Sequence, residues 1–191
     1  MLSGDLTRSR AAGTTVTVGP PQGSTYARRM MLRSRESEDF VEVTPLGYES
    51  ATGPTDPDTD EWLVIRIRAR QGAASWEVTF SCLLAGEAQM LAHWLRGGAT
   101  RIPDGPRPQW GSDPEPQLTF SEPHLGFALA TGTTTALLLR VFLAYEADQP
   151  ATDTEPDWWD SDTRIDLPFE PVDLVAAAAA FLHELRPFPR R

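Results

Sequence analysis

The chain has 191 residues, enough for one domain with a substantial hydrophobic core. Its hydrophobic content of 40% and charged content of 23% are typical of a soluble globular protein, and no stretch approaches the roughly 18 apolar residues of a membrane span. The single cysteine, Cys82, excludes an intramolecular disulfide and a cysteine-based zinc site. The first residues lack the apolar segment of a secretory signal. We therefore expect a cytoplasmic protein.

The net charge is −10, with 27 acidic residues against 17 basic ones, and all the basic residues are arginines. Residues 1–35 carry six arginines and one aspartate, whereas residues 36–61 carry nine acids and no base. Arginines without an aromatic or helical pattern favour a disordered basic leader over residues 1–35 rather than a nucleic-acid or membrane arm. Residues 36–191 are expected to form a single domain. Its negative charge disfavours nucleic acid and anionic membranes as partners.

The first strong structural signal is a pair of alternating segments, Trp62–Gln71 and 75–82, which a short turn at Gly72 joins into a predicted hairpin. Apolar residues of both segments are expected on one face, and arginines on the other. The apolar set is Leu63, Ile65, Ile67, Ala69, Trp76, Val78 and Phe80; the arginines are Arg66, Arg68 and Arg70.

The period then changes to that of a helix, which Gly97–Gly98 ends. After a proline-rich connection, alternating segments over 117–132, 133–147 and 164–170 predict further strands. A last helix is predicted from Pro171 onward. The apolar stripe of the first helix is Leu84, Ala88, Leu91 and Leu95; that of the last is Leu174, Val175, Ala178, Phe181, Leu182 and Leu185.

Short connections between strands favour antiparallel pairing, and two amphipathic helices need a surface to bury against. The sequence therefore predicts an α+β fold, with an antiparallel sheet of about six strands and both helices packed on one sheet face. The opposite face is expected to carry arginines that pair with glutamates on neighbouring strands.

Signatures of catalysis are missing from the chain. It has no nucleophile elbow, phosphate-binding loop, dinucleotide fingerprint or zinc-protease motif. The histidines, His93, His124 and His183, do not have metal-ligand spacing, and Cys82 is in phase with inward-facing residues, where a thiol is inert. We expect no enzyme activity, no metal and no cofactor.

One oriented carboxylate stands apart from this pattern. Pro123 restricts Glu122 to extended geometry, so the carboxylate has a defined direction. Glu122 either caps the backbone or pairs with a sheet arginine. The alternative is a ligand-binding or catalytic site, whose candidate residues are Glu122, Arg66, Arg68 and Arg140.

A second candidate is the loop "TDTEPDWWDSD", Thr152 to Asp162, which combines five carboxylates with two tryptophans and no cation. Exposed aromatics in an acidic loop suit a basic protein partner, whereas the alternative is plain burial of the tryptophans under the fold. The candidate partner-binding residues are Asp153, Glu155, Asp157, Trp158, Trp159, Asp160 and Asp162.

Taken in order, four segments resemble the actinobacterial WapI-type immunity proteins: residues 61–95, "LTFSEPHLGFAL", "LLRVFLAYEA" and the Ala-rich helix with its arginine-rich end. The likeness covers Trp62 to Arg190. It implies a cytoplasmic partner of a contact-dependent toxin, often a nuclease, that acts by binding and has no catalytic residues. The acidic charge fits such a basic partner. A general interaction domain without a toxin is the remaining alternative.

Overall fold

A computed structural model describes residues 29–50, 61–100, 115–131, 137–144, 147 and 163–190. The described residues form eight strands and two helices. These are β1 (Met30–Arg33), β2 (Phe40–Tyr48), β3 (Trp62–Gln71), β4 (Ala74–Leu84), α1 (Ala85–Gly98), β5 (Leu118–Thr119), β6 (Leu125–Thr131), β7 (Leu137–Leu143), β8 (Thr163–Phe169) and α2 (Pro171–Glu184).

The strands form two antiparallel four-stranded sheets: sheet A in the order β1-β2-β3-β4 and sheet B in the order β5-β6-β7-β8. The predicted α+β class is therefore confirmed, but the predicted single sheet of about six strands is wrong. Alternation in a sequence shows which side chains share a face, but it does not show which strands are neighbours.

Sheet A contains the predicted β3–β4 hairpin, whose turn has Gly72 in the left-handed region at φ 57°. It also contains two strands that the sequence did not predict. Strand β1 lies within residues 1–35, the predicted disordered leader, so ordered structure begins before the predicted boundary at residue 35. Strand β2 lies within the acidic run of residues 36–61.

Sheet B packs against the inner face of sheet A, as contacts of β4 show. The indole N–H of Trp76 donates to the carbonyl of Ala147 at 3.1 Å. The ring of Phe80 lies 4.7 Å from the imidazole of His124, between ring centroids. The inner-face residues of both sheets belong to one hydrophobic core, which also includes Cys82, buried as predicted.

Both predicted helices are present. The carboxylate of Glu87 in the first turn of α1 accepts the N–H groups of Leu84 at 2.9 Å and Ser121 at 2.7 Å. This fixes the start of the helix beside sheet B. Three residues of the predicted stripe of α1 are buried, namely Ala88, Leu91 and Leu95. The fourth, Leu84, belongs to β4 and is half-buried.

The inner stripe of α2 consists of Leu174, Ala177, Ala178, Phe181 and Leu185, all buried. Val175 was predicted in this stripe but is 41% exposed, since the helical turn carries it to the outer side with Val172. The outer side of α2 is therefore apolar as well. No helix among the described residues is long and apolar enough to cross a membrane.

Candidate functional site

The predicted site residues fall in three places. The acidic tryptophan loop, Asp153 to Asp162, lies outside the described residues. Glu122 is exposed in the turn between β5 and β6, and it has no hydrogen bond or ion pair with another described residue. Arg66 and Arg68 lie on β3 in sheet A, whereas Arg140 lies on β7 in sheet B. The structure therefore does not bring Glu122 and the three arginines together.

Arg140 pairs with its cross-strand neighbour Asp166 on β8. Two bonds join the guanidinium to the carboxylate, at 2.6 and 2.8 Å. A bidentate pair of this kind holds two strands in register. The sequence analysis predicted glutamate partners for the sheet arginines, whereas the partner here is an aspartate. Arg140 therefore contributes to sheet B rather than to a pocket with Glu122.

The charged centre of sheet A is Glu42, a residue that the sequence analysis missed. It lies on β2 opposite Arg68 on β3, and its side chain is only 1% exposed. Its carboxylate accepts hydrogen bonds from Arg29 at 3.3 Å, Arg68 at 3.2 Å and the Thr44 hydroxyl at 3.3 Å. The guanidinium of Arg66 lies 3.9 Å away. Three cations thus surround one buried anion.

The outer face extends this pairing across the sheet. Arg68 also pairs with Glu77 on β4 at 3.2 Å, as the sequence predicted for arginines and glutamates on this face. Arg70 pairs with Glu38 at 2.8 Å. The Nε of Arg66 is buried and has no hydrogen-bond partner in the described part of the chain. The arginine stripe of β3 is thus largely neutralised.

Strand β1 is attached to α2 at both ends. At one end, the Glu184 carboxylate accepts the N–H of Met30 at 3.1 Å. At the other end, Arg35 donates to Asp173 at 2.7 and 2.8 Å and to Glu170 at 2.7 Å. The hydrogen bonds from Arg35 lower the pKa of the Asp173 carboxyl, and the same bonds raise the pKa of Arg35.

The two attachments show how α2 lies relative to β1. Five residue steps of a strand from Met30 to Arg35 span about 16 Å, and eleven helical steps from Asp173 to Glu184 also span about 16 Å. The helix therefore runs alongside the strand in the opposite direction. Between the two attachments is a groove of about 540 Å³. Its lining is Arg29, Met31, Arg33, Ser34, Arg35, Phe169, Asp173, Ala176, Ala177, Ala179 and Ala180.

The pKa of Glu184 is raised above its ordinary value. Burial is the largest cause, and the nearby charge of Glu42 adds to it, while the Met30 N–H, Arg29 and Arg66 act in the opposite direction. Ionisation of Glu184 therefore lowers the stability of the folded protein.

We expect Glu184→Gln to gain stability relative to the native chain as the pH rises. The amide oxygen still accepts the Met30 N–H. Because the folded-state pKa of Glu184 is raised, the cost of its charge is absent at low pH and grows from about pH 4 upward. The gain should stay under about 1 kcal/mol, since the group is half-buried and screened. Urea unfolding from pH 4 to 8 measures it, with Glu122→Gln as the control for loss of a surface carboxylate.

The opposite trend, a variant that loses stability as the pH rises, would show that attraction to Arg29 and Arg66 outweighs the desolvation of Glu184.

Among the described residues, no group of three or more His, Cys, Asp or Glu side chains is arranged to hold a metal ion. What these residues do present is a charged sheet face that is largely neutralised, a groove between β1 and α2 whose Arg29 and Arg35 are ion-paired, and an apolar outer side of α2. The sequence model of the Immunity protein WapI-like family matches residues 31–189.

The chain belongs to the WapI-like immunity protein family. The match begins within β1 and ends after α2, so the family sequence spans every strand and helix described above. It confirms the resemblance seen from Trp62 to Arg190 and extends it through β1 and β2. No curated protein and no solved structure matches the chain.

Glu42 and Arg35 both lie within the matched residues 31–189. One signal could have found Glu42. The string "FVEVT" alternates Val41 and Val43 with Glu42, which predicts a strand with its carboxylate on the polar face. No comparable signal exists for Arg35, because its partners follow it by 135 and 138 positions.

Proposed function

We propose that this protein is an immunity protein that binds and neutralises a cognate contact-dependent toxin in the cytoplasm, without catalysing a reaction. The family match over residues 31–189 carries the proposal, because immunity proteins act as partners of toxins.

The charge of the chain supports a basic toxin, with a nuclease as the proposed class. A nuclease presents cations to the phosphates of its substrate, and a chain with net charge −10 is attracted to that surface. The attraction raises the association rate and falls with added salt. Fast capture suits an inhibitor of a toxin that harms the cell before equilibrium is reached.

The proposed contact is the acidic tryptophan loop. Its carboxylates would steer the basic partner, and its tryptophans would supply the desolvated apolar anchor that charge does not provide. The residues are Asp153, Glu155, Asp157, Trp158, Trp159, Asp160 and Asp162.

The test is to coexpress the chain with the toxic domain of any large toxin gene that neighbours its own gene, and then to measure binding of the purified pair by calorimetry at two salt concentrations. The native chain is expected to restore growth and to bind more weakly at high salt. Trp158→Ala with Trp159→Ala should weaken binding at least tenfold, about 1.4 kcal/mol or more. A triple variant of Asp153, Glu155 and Asp157 to their amides should reduce the salt dependence.

The matched control removes three exposed carboxylates elsewhere, with Glu36, Glu115 and Glu122 all changed to Gln. It makes the same change in net charge. If both triple variants weaken binding equally, overall charge rather than the loop makes the contact. If the native chain neither binds the toxin nor protects cells, the proposed function is wrong.

A further inference from the structure

The main-chain nitrogen of Met30 is the point where the regular pairing of β1 ends. The N–H of Ser34 donates to Asp39 on the β2 side at 2.9 Å. Since N–H groups alternate along a strand, the N–H of Met30 would also point toward β2 if β1 were regular to its end. It instead donates to the carboxylate of Glu184 on α2 at 3.1 Å. The chain thus presents this nitrogen to an acid rather than to a neighbouring strand.

The side chain of Met30 belongs to the core, whereas that of the residue before it does not. Met30 is fully buried, and so is Leu32 two positions later. The side chain of Arg29 is 45% exposed and pairs with Glu42 on the outer face of sheet A. The match to the WapI-like family begins at residue 31, one position after Met30. Among the described residues, the core therefore begins at Met30.

The charge of the Glu184 carboxylate is not fully compensated by its surroundings. Burial and the nearby Glu42 raise the pKa of Glu184, although Arg29 and Arg66 act in the opposite direction. The hydrogen bond that it accepts from Met30 comes from a neutral amide. An ammonium group at the same nitrogen would supply a full positive charge within hydrogen-bond distance.

We propose that the cell makes a form of this protein whose translation starts at Met30, and that Glu184 binds the α-ammonium group of that form. Methionine is the residue with which translation begins, and a chain that starts here keeps every described strand and helix. Of the described residues it lacks only Arg29. Its α-ammonium group replaces the lost charge of Arg29 and places that charge directly against Glu184.

A start at the next methionine, Met31, is not equivalent. It would remove the fully buried side chain of Met30 and leave a cavity in the core. It would also remove the nitrogen that donates to Glu184. The structure therefore favours Met30 over Met31 as the first residue.

The shorter form is more acidic than the full chain. Residues 1–29 hold four arginines and one aspartate, so their loss changes the formal net charge from −10 to −13. The added negative charge would draw the chain more strongly to a cationic toxin, a consequence that rests on the proposed function. The start at Met30 does not rest on that function, because its test needs no toxin.

The first experiment identifies the N-terminus. The gene stays at its own chromosomal locus with a C-terminal affinity tag, and the purified protein is analysed by intact mass and by labelling of its α-amino group. A product that begins at Met30 is expected. Met30→Leu should abolish this product with little effect on folding, since the two side chains have similar volumes. Met31→Leu is the matched control and should leave the product unchanged.

The second experiment measures the ion pair by urea unfolding of residues 1–191 and of residues 30–191, each with and without Glu184→Gln. At about pH 6.5 the substitution should raise the urea midpoint of the full chain, because it removes a poorly compensated charge. It should lower the midpoint of the shorter form, because the α-ammonium group loses its partner. This loss should shrink as the pH rises from about 8 upward, where an α-amino group becomes neutral.

Four results would overturn the proposal. One is that no product from the native locus begins at Met30. A second is a product that still begins at residue 30 in Met30→Leu, which would show cleavage rather than initiation. A third is failure of residues 30–191 to fold. The fourth is a Glu184→Gln effect of the same sign in both chains at about pH 6.5, which would show that Glu184 does not bind the α-ammonium group.

Discussion

Replacing Glu42 with alanine is expected to lower the free energy of unfolding by about 2–3 kcal/mol. Removing one partner of a buried ion pair typically costs about 3–5 kcal/mol, because the remaining charge is left uncompensated. Here the cost is reduced, since the side chains of Arg29, Arg66 and Arg68 are 45%, 25% and 42% exposed and can recover some hydration. The buried hydroxyl of Thr44 also loses its acceptor. Urea unfolding at neutral pH measures the loss.

Glu77→Ala is the matched control for Glu42. Both carboxylates pair with Arg68 at 3.2 Å, but the side chain of Glu77 is 52% exposed and that of Glu42 only 1%. Exposed pairs contribute at most about 1 kcal/mol, so the control should lose far less stability. If the two variants lose equal amounts of unfolding free energy, burial of the Glu42 carboxylate does not determine how much it contributes to stability.

Gly98→Ala is expected to destabilise the protein by about 1–2 kcal/mol, while Gly97→Ala, one position earlier in α1, is expected to stabilise it slightly. A Cβ on Gly98 would lie 2.6 Å from Cδ2 of Leu129 on β6, whereas one on Gly97 has nothing within 4 Å. Overpacking costs about 1–3 kcal/mol, and the low end applies because the end of a leucine side chain can shift. At Gly97 the only change is a better helix propensity, worth up to about 1 kcal/mol.

A double-mutant cycle tests this explanation. In a Leu129→Ala background the clash is absent, so adding Gly98→Ala should cost nothing and the coupling energy should equal the clash. Thermal or urea unfolding of the four proteins gives the cycle. An additive result would mean that the loss at Gly98 comes from the helix itself rather than from its close approach to sheet B.

The parts of the fold that could be predicted from the sequence are those with strong local periodicity. Strands β3 and β4 alternate cleanly, and the helices α1 and α2 have buried stripes and recognisable ends. Val175 shows the limit of this method. On a helix that is apolar all round, composition does not show which side faces the core.

The pairing of the strands could not be predicted from the sequence, because the same alternating segments can form one sheet or two. The Glu42 cluster depends on that pairing. Arg68 faces Glu42 only because β2 lies beside β3, and Arg29 reaches Glu42 only because β1 lies on the other side. The groove also depends on α2. Asp173 of this helix pairs with Arg35, although it lies 138 residues later in the chain. Local patterns carry no information about such distant contacts.

The separation of β1 from α2 along the chain has a consequence for biosynthesis. At about 5–20 residues per second, a ribosome makes Asp173 roughly 7–28 s after Arg35. Throughout that interval the nascent chain has its first edge strand but lacks the helix that flanks it, so chaperones and neighbouring nascent chains meet an open edge. Sheet A therefore gains its flanking helix only after α2 has been made, and a prematurely terminated product that lacks α2 keeps the β1 edge uncovered by that helix.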